Sequence, residues 1–254
     1  MSAVSSIRGV RESTRAEPNE SPVLSPTSMT ITPPRGEWAN SPEPLPMPAY
    51  ASRALNPVRL AAIEHHAGRT ILDAGCGNGA YVLHLADQFQ IRGIDWQPFD
   101  TWKVRPELFS VGDVTRLELP EDSVETVVSF ECLEHFPDPG AILRNFRRIC
   151  SRNVILTVPN CDITAGMRAS LLTYYHYTDP SHLNFFTLDE IANLCEKAGF
   201  RVGVRSLINP LDLDPLLGEG YDFAGPAGRF ARWWLRKRQR VTYQLTCLVV
   251  AEKA

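Results

Sequence analysis

Arg-Thr-Ile-Leu-Asp-Ala-Gly-Cys-Gly-Asn-Gly-Ala-Tyr, residues 69–81, is the stretch that decides the fold. A short apolar run ends in Asp73, and glycines follow at alternate positions: Gly75, Gly77 and Gly79. A helical pattern then begins, with these apolar residues on one face: Val82, Leu83, Leu85, Ala86 and Phe89. The order strand, glycine turn, helix predicts a corner where the backbone lies directly against a ligand. A Cβ atom would clash there, and the free N–H groups of the helix favour a polar or charged ligand.

Two further acids follow at the ends of predicted strands. The apolar strand Gln90–Ile94 ends in Asp95, roughly 20 residues after the glycines, where a carboxylate can accept hydrogen bonds from both hydroxyls of a ribose. The next strand ends in Gly-Asp-Val, residues 112–114. Three successive strands each end in an acid. This pattern predicts a ligand site that is lined by acidic side chains along one edge of a sheet.

These segments, together with Val-Val-Ser-Phe-Glu-Cys-Leu-Glu-His-Phe at residues 127–136, resemble the class I S-adenosylmethionine-dependent methyltransferases. The resemblance covers about residues 56–200. It implies an α/β fold with a Rossmann-like, doubly wound, seven-stranded and mostly parallel sheet whose C-terminal strand is antiparallel. The cofactor implied is S-adenosyl-L-methionine, which leaves as S-adenosyl-L-homocysteine after transfer, and it would lie along the carboxyl edge of the sheet.

The resemblance also assigns parts of the cofactor to individual residues. Asp73 and the glycine loop would hold its amino-acid end, Asp95 the ribose, and Asp113 with Val114 the adenine. Trp96 directly follows the ribose acid and can cover one face of the adenine. The complete set of expected cofactor contacts is Asp73, Gly75, Cys76, Gly77, Gly79, Asp95, Trp96, Asp113, Val114, Phe130 and Glu131.

A nicotinamide-type dinucleotide fold is the alternative interpretation of the same loop. Gly75, Gly77 and Ala80 also match the G-x-G-x-x-A form of that fingerprint. The acid two residues before the first glycine and the segment 130–135 count against it, because dehydrogenases do not require either feature.

Histidines are the candidates for a general base, which a hydroxyl acceptor would need. His182, in a segment rich in tyrosine and histidine, is the first candidate, with Asp179 as the group that orients its ring. His135, which the resemblance places beside the methyl group, is the second candidate, and His176 is the third. Asp179, His176 and His182 could also share an ion, but their spacing matches no standard site, so we expect no metal.

Bulk composition excludes several classes of function. The net charge of -3 and the pI near 6.1 give no overall attraction to nucleic acid. The six cysteines are scattered without a C-x-x-C pair, which favours reduced thiols in a cytoplasmic protein. No apolar run reaches the length of about 18 residues that a membrane-spanning helix needs.

Domain organisation follows from shifts in composition. Nine of the 20 prolines precede Tyr50, so residues 1–49 are expected to form a disordered Pro/Ser-rich tail or, alternatively, an extended lid over the substrate. Residues 50–254 form the predicted methyltransferase domain, with a substrate-side insertion at 160–186 and a second insertion at 209–242. The domain opens with an amphipathic helix whose apolar residues are Val58, Leu60, Ala61 and Ile63.

The second insertion contains a basic aromatic segment, residues 229–240, with six cations among Phe230, Trp233 and Trp234. Its aromatic rings could dock a helix on the body of the protein. Alternatively, the segment could contact an anionic or lipid-linked substrate or a membrane surface. RNA is a weaker third partner, and no feature indicates an oligomeric state.

The function expected from these features is methylation of an oxygen atom in a small molecule, namely a sugar, a glycolipid or another natural product. A methyltransferase-like partner subunit that has lost catalysis is one alternative. A protein or RNA methyltransferase is another. Asp73, the glycines, Asp95 and Asp113 favour cofactor binding but do not identify the acceptor.

Overall fold

The computed structural model describes residues 55–162, 181–210, 225–238 and 243–254. Within these ranges the helices are α1 Pro57–His66, α2 Ala80–Leu85, α3 Pro139–Ile149, α4 Leu188–Lys197 and α5 Pro226–Arg238. The strands are β1 Thr70–Ala74, β2 Gln90–Asp95, β3 Phe109–Val111, β4 Val124–Phe130, β5 Cys150–Pro159, β6 Phe200–Pro210 and β7 Gln244–Lys253. The predicted tail 1–49 and most of the substrate-side insertion lie outside the described residues.

The seven strands form one sheet in the order β3-β2-β1-β4-β5-β7-β6. The first five strands in this order are parallel, whereas β7 lies between β5 and β6 and is antiparallel to both. This arrangement confirms the predicted α/β fold, including the antiparallel C-terminal strand. The dinucleotide alternative is wrong, because that fold continues with a parallel sixth strand next to the fifth.

Both faces of the sheet are covered, and this explains why the strands are apolar at consecutive positions. Side chains alternate between the faces along a strand. Ile71 and Ile155 therefore pack with apolar residues of α1 and α2, whereas their neighbours Leu72 and Leu156 pack with α3 and α4. The core consequently has two layers, and the sheet edge between them is where a ligand can reach the strand ends.

Helix boundaries follow local capping chemistry. The Asn56 side chain accepts hydrogen bonds from the amides of Val58 and Arg59 at the start of α1. Thr187 and Glu190 form a capping box at the start of α4. The predicted apolar face of α1 is partly wrong, because Val58 is 44% exposed and Arg59 is buried in its place.

The two insertions meet at their bases. Tyr243 donates a hydrogen bond of 2.5 Å from its hydroxyl to the carbonyl of Asn160, and the Asn160 side chain donates to the carbonyl of Gln244 at 2.8 Å. Cys161 in turn donates its amide to the carbonyl of Phe186. The chain around Asn160 and Tyr243 therefore ties both insertions to the same carboxyl edge of the sheet.

Candidate active site

Three buried acids mark the carboxyl edge, as the sequence predicts. Asp73 lies near the end of β1, Asp95 ends β2, and Asp113 follows β3. Their exposed fractions are 3%, 7% and 7%, respectively. Because these strands are neighbours in a parallel sheet, the acids come from adjacent positions of one edge, between the two layers of the core.

The glycine loop has a different reason for glycine at each position. All three residues have positive φ, at 80° for Gly75, 52° for Gly77 and 73° for Gly79. A Cβ atom at Gly75 would collide with the sulfur of Cys132, and one at Gly79 would collide with the ring of Phe109. A Cβ atom at Gly77 would meet no atom within 4 Å. Gly77 is therefore the loop residue that faces open space, where a ligand can approach the backbone.

Asp95 has one occupied and one available oxygen. Its Oδ2 accepts a hydrogen bond of 2.7 Å from the Gly77 amide. Its buried Oδ1 has no hydrogen-bond partner within the described part of the chain. Burial raises the pKa of Asp95, and the amides of Gly77, Trp96 and Gln97 partly offset this effect. A buried carboxylate oxygen without a donor fits a ligand hydroxyl, such as those of a ribose.

Asp73 is a carboxyl group that needs a cation. Burial and, to a lesser extent, the nearby charge of Asp95 raise its pKa from 3.8 to about 7. The ammonium group of an amino acid would favour the charged form of Asp73. The residues present therefore fit both the amino-acid end and the ribose of S-adenosylmethionine.

The neighbouring thiols do not supply a nucleophile. Burial raises the pKa of Cys76 well above its ordinary value, with Asp73 and Asp95 adding to the effect. Burial is also the main cause of the raised pKa of Cys132. Both thiols therefore stay protonated at neutral pH. The six cysteines, all within the described residues, form no disulfide.

The residues predicted for the adenine differ in how far they are exposed. Oδ1 of Asp113 accepts hydrogen bonds from the amide and the hydroxyl of Thr115, at 2.8 Å and 2.7 Å. Val114 is buried in the core, whereas Trp96 is 45% exposed. Asp113 thus caps a short turn at the sheet edge, and the indole of Trp96 is accessible to a ligand.

Trp102 is a site-supporting residue that the sequence prediction did not include. Its indole N–H donates a hydrogen bond of 2.9 Å to the carbonyl of Gly77. Its ring stacks on Phe109, with ring centroids 4.8 Å apart and an interplanar angle of 5°. Trp102 therefore fixes the open residue of the glycine loop, and its sequence position gave no signal of this contact.

Arg59 is the second residue missed by sequence reasoning. It forms a buried ion pair with Glu131, which has a positive φ of 50° directly after β4. The Arg59 guanidinium also lies 5.2 Å from the centre of the Phe130 ring, and Tyr81 meets that ring edge-on at 5.0 Å. Phe130 and Glu131 are thus held at the carboxyl edge by a helix that precedes the first strand.

A cluster of Glu134, His135 and His182 lies just beyond β4. Nδ1 of His135 is 3.1 Å from the carbonyl of Ser181, which makes Nδ1 the protonated nitrogen in the neutral ring. Nε2 of His135 lies 3.9 Å from the buried carboxyl group of Glu134. The rings of His135 and His182 meet edge-on, with centroids 4.9 Å apart. Two of the predicted histidines are therefore together, whereas Asp179 and His176 lie outside the described residues.

The chain around this cluster is held by the backbone of Glu134. Its carbonyl accepts hydrogen bonds from the amides of Leu183 and Asn184, at 2.8 Å and 3.0 Å. The side chains of Glu134, His135 and His182 offer one ligand atom each within 4.8 Å of one another, a grouping that can hold a metal ion. The expectation that no metal binds stays a prediction.

The fold and the acids at the carboxyl edge define a class I S-adenosylmethionine-dependent methyltransferase. The chain belongs to the methyltransferase domain family, whose family model matches residues 47–203. S-adenosylmethionine is accordingly the cofactor.

Individual relatives are named for methyl transfer to different acceptor atoms. The chain is 33% identical over 170 residues to the ubiquinone biosynthesis O-methyltransferase of Neisseria meningitidis serogroup A, covering 58% of this chain and 71% of that protein. It is 28% identical over 103 residues to the ajmaline N-methyltransferase of Rauvolfia serpentina, covering 35% of each chain. For several other relatives the match spans about half of their length, between 44% and 53%.

Solved structures agree on the fold. The S-adenosylmethionine-dependent methyltransferase of Mesorhizobium loti superposes with a TM-score of 0.53 at 17% sequence identity. The superposition covers 78% of this chain and 96% of that chain. No helix within the described ranges is both long and apolar enough to cross a membrane.

Proposed function

We propose that this protein methylates a hydroxyl oxygen of a small molecule, such as a sugar, a glycolipid or another natural product. The observation that carries the proposal is the edge-on pairing of His182 with His135, three residues beyond Cys132. Cys132 packs on Gly75 of the cofactor loop, so the histidine pair follows directly from the cofactor corner along the chain.

Within the cofactor corner, each residue has a proposed task. The Asp73 carboxylate binds the ammonium group of the cofactor, and Oδ1 of Asp95 accepts from a ribose hydroxyl. Gly77 gives the backbone surface along which the cofactor lies, and Gly75, Cys76 and Gly79 shape the loop around it. The remaining predicted contacts line the site toward the adenine and the methyl group: Trp96, Asp113, Val114, Phe130 and Glu131.

His182 is the proposed general base. Both ring nitrogens of His135 are directed at protein groups, Nδ1 at the Ser181 carbonyl and Nε2 at the Glu134 carboxyl group, so we assign His135 to positioning the neighbouring ring. Its ring in turn holds the ring of His182 edge-on. Asp179, as predicted from the sequence, is the proposed orienting partner of His182.

The proposed reaction is a direct methyl transfer from sulfur to oxygen. Bound S-adenosylmethionine supplies a methyl group that is electrophilic because its sulfur is positively charged. The acceptor oxygen forms a bond to this methyl carbon while the carbon–sulfur bond breaks. His182 takes the hydroxyl proton and later releases it to water. The role of the protein is to hold acceptor and methyl group in line and away from water.

The acceptor class rests on three supports. The relative from Neisseria carries an O-methyltransferase name, and an oxygen acceptor needs the base that the histidine pair supplies. A glycolipid or another lipid-linked acceptor also suits the basic aromatic segment 229–240, since that insertion returns to the sheet beside Asn160.

Six reduced thiols suit the cytoplasm, which is the proposed location of the protein.

Methyl transfer from isotopically labelled S-adenosylmethionine to phenol, catechol and hexose acceptors tests the proposal, with the new bond located by NMR. We expect an oxygen–methyl bond. In His182→Ala, kcat falls by about 100-fold to 10,000-fold while the Kd for the cofactor is unchanged, since only proton transfer is lost.

His65→Ala is the matched control, because His65 is exposed on α1, away from the cluster. It should leave both constants unchanged. A new nitrogen–methyl or carbon–methyl bond, or an unchanged kcat in His182→Ala, would overturn the proposed chemistry.

A further inference from the structure

Helix α5 carries charge of one sign. Its residues include five cations, namely Arg229, Arg232, Arg236, Lys237 and Arg238, and the sequence has no acid from residue 223 to residue 251. The complete chain has a net charge of -3, so this helix is a local basic region on an acidic protein. Such a concentration of cations on one element favours an anionic partner.

The aromatic residues of α5 face outward. Phe230, Trp233 and Trp234 are 63%, 51% and 43% exposed, whereas Gly228 is buried and Ala231 is half-buried. The three aromatic residues stand at spacings of three and four and therefore share one side of the helix, which we call the aromatic face. The exposure of all three rings counts against the alternative that they dock the helix on the body of the protein.

The aromatic face is linked to cations within the helix itself. Nζ of Lys237 lies 4.6 Å from the centre of the Trp233 ring, and the guanidinium of Arg238 lies 4.5 Å from that of Trp234. Phe230 packs against Trp233 with ring centroids 5.5 Å apart. These contacts hold the rings side by side with positive charges next to them.

From these observations we infer that α5 docks the protein on an anionic phospholipid membrane, with the aromatic face at the level of the head groups. Tryptophan favours this zone because its ring is apolar and its N–H is polar. The cations beside the rings meet the lipid phosphates. With 13 residues and about 20 Å of length, α5 lies along the surface rather than across it.

Docking through α5 determines which edge of the sheet lies toward the membrane. Strand β6 ends at Pro210 and β7 begins at Gln244, both at the carboxyl edge that carries the site. The end of the α5 insertion is fixed to the substrate-side insertion by the hydrogen bond from Tyr243 to Asn160. A membrane-bound α5 thus brings the carboxyl edge toward the lipid. The supply of a lipid-linked acceptor from the membrane, unlike the docking itself, rests on the proposed function.

Co-sedimentation of the full chain with vesicles tests the inference. Vesicles of phosphatidylcholine mixed with phosphatidylglycerol should bind the protein, vesicles of phosphatidylcholine alone should bind it much less, and added salt should weaken binding. Lys237→Gln with Arg238→Gln should lower partitioning roughly 30-fold, since each cation near an anionic surface contributes about fivefold. Trp233→Ala with Trp234→Ala should lower it by about tenfold or more.

Arg152→Gln with Arg201→Gln is the charge-matched control, because both arginines are exposed near the amino ends of β5 and β6. This control should bind vesicles like the wild type. Every variant should keep the cofactor Kd of the wild type, which verifies that it is folded. Because His182→Ala should still bind vesicles, failure of the proposed catalysis is distinguishable from failure of docking.

Three results would overturn the inference. The first is the absence of binding to anionic vesicles, and the second is equal loss in the control and in the α5 variants. The third is displacement of the protein from vesicles by a single-stranded RNA oligonucleotide at a lower concentration than the lipid, because stacking of bases on the tryptophans would then be the preferred contact.

Discussion

At the scale of single residues, Asp73 shows how a site can oppose the stability of its own fold. Its pKa rises from 3.8 to about 7 because the carboxyl group is buried and lies near Asp95. Between these pH values the folded protein binds a proton that the unfolded chain releases. The contribution of Asp73 to the free energy of unfolding is therefore fully present below about pH 4 and is lost as the pH rises through about 7.

Replacing Asp73 by asparagine removes this dependence. Relative to the wild type, Asp73→Asn should gain free energy of unfolding as the pH rises from 4 to 7. The difference between the two proteins should be constant above pH 7. Three pKa units set an upper bound of roughly 4 kcal/mol on the gain. Urea unfolding without cofactor measures it, with Asp87→Asn, an exposed acid, as the control. A difference that does not vary with pH would contradict a pKa of Asp73 that is raised by burial.

At the scale of elements, two glycines of the loop between β1 and α2 should affect different properties. Gly79 should matter most for stability and Gly77 for binding of the cofactor. Gly79→Ala places a methyl group into the ring of Phe109 and within 3.3 Å of Trp102, which stacks on Phe109, so the variant should unfold at clearly lower urea concentration. Gly77→Ala meets open space, and its cost to stability should be limited to the positive φ, about 1 kcal/mol.

In cofactor binding, by contrast, Gly77→Ala should have a larger effect than Gly79→Ala. Gly77→Ala should weaken S-adenosylmethionine binding by at least about tenfold, because its methyl group occupies the space proposed for the ligand. Calorimetric titration of both folded variants makes the comparison. Equal effects of the two substitutions on both measurements would mean that the loop does not face the cofactor at Gly77.

At the scale of the whole molecule, the site exists only when neighbouring strands of one sheet are aligned. Cofactor binding is therefore coupled to unfolding of the entire domain. S-adenosylmethionine at 100 times its Kd should add about 2.7 kcal/mol of stability and raise Tm by about 5–10 °C. NAD should leave Tm unchanged, because the sheet order is that of a methyltransferase. Thermal unfolding with each ligand measures the difference.

Asp95→Ala is the variant that tests the location of this effect. Loss of the carboxylate removes the partner of the Gly77 amide as well as the available Oδ1, so the shift with S-adenosylmethionine should disappear. Asp100→Ala, which changes an exposed acid, should keep it. A shift that persists in Asp95→Ala would place the cofactor elsewhere, and a shift with NAD would reopen the dinucleotide interpretation.

Sequence reasoning succeeded where the information is local. The apolar run that ends in Asp73 and the glycine turn after it are each defined within a few residues, and the structure has both where they were predicted. Which side of a helix is covered is not local. The regular pattern of α1 predicted Val58 inside, whereas the buried ion pair with Glu131 turns Arg59 inward.

The sequence by itself determined the order of the elements, the acids at the strand ends and the family to which they belong, because these features depend on neighbours along the chain. Only the tertiary structure decided that Arg59 meets Glu131, 72 residues away, and that Trp102 holds Gly77, 25 residues away. It also decided that α5 turns its tryptophans outward. The physical reason is that contacts between distant segments depend on how the layers pack, and no periodic pattern of side chains encodes them.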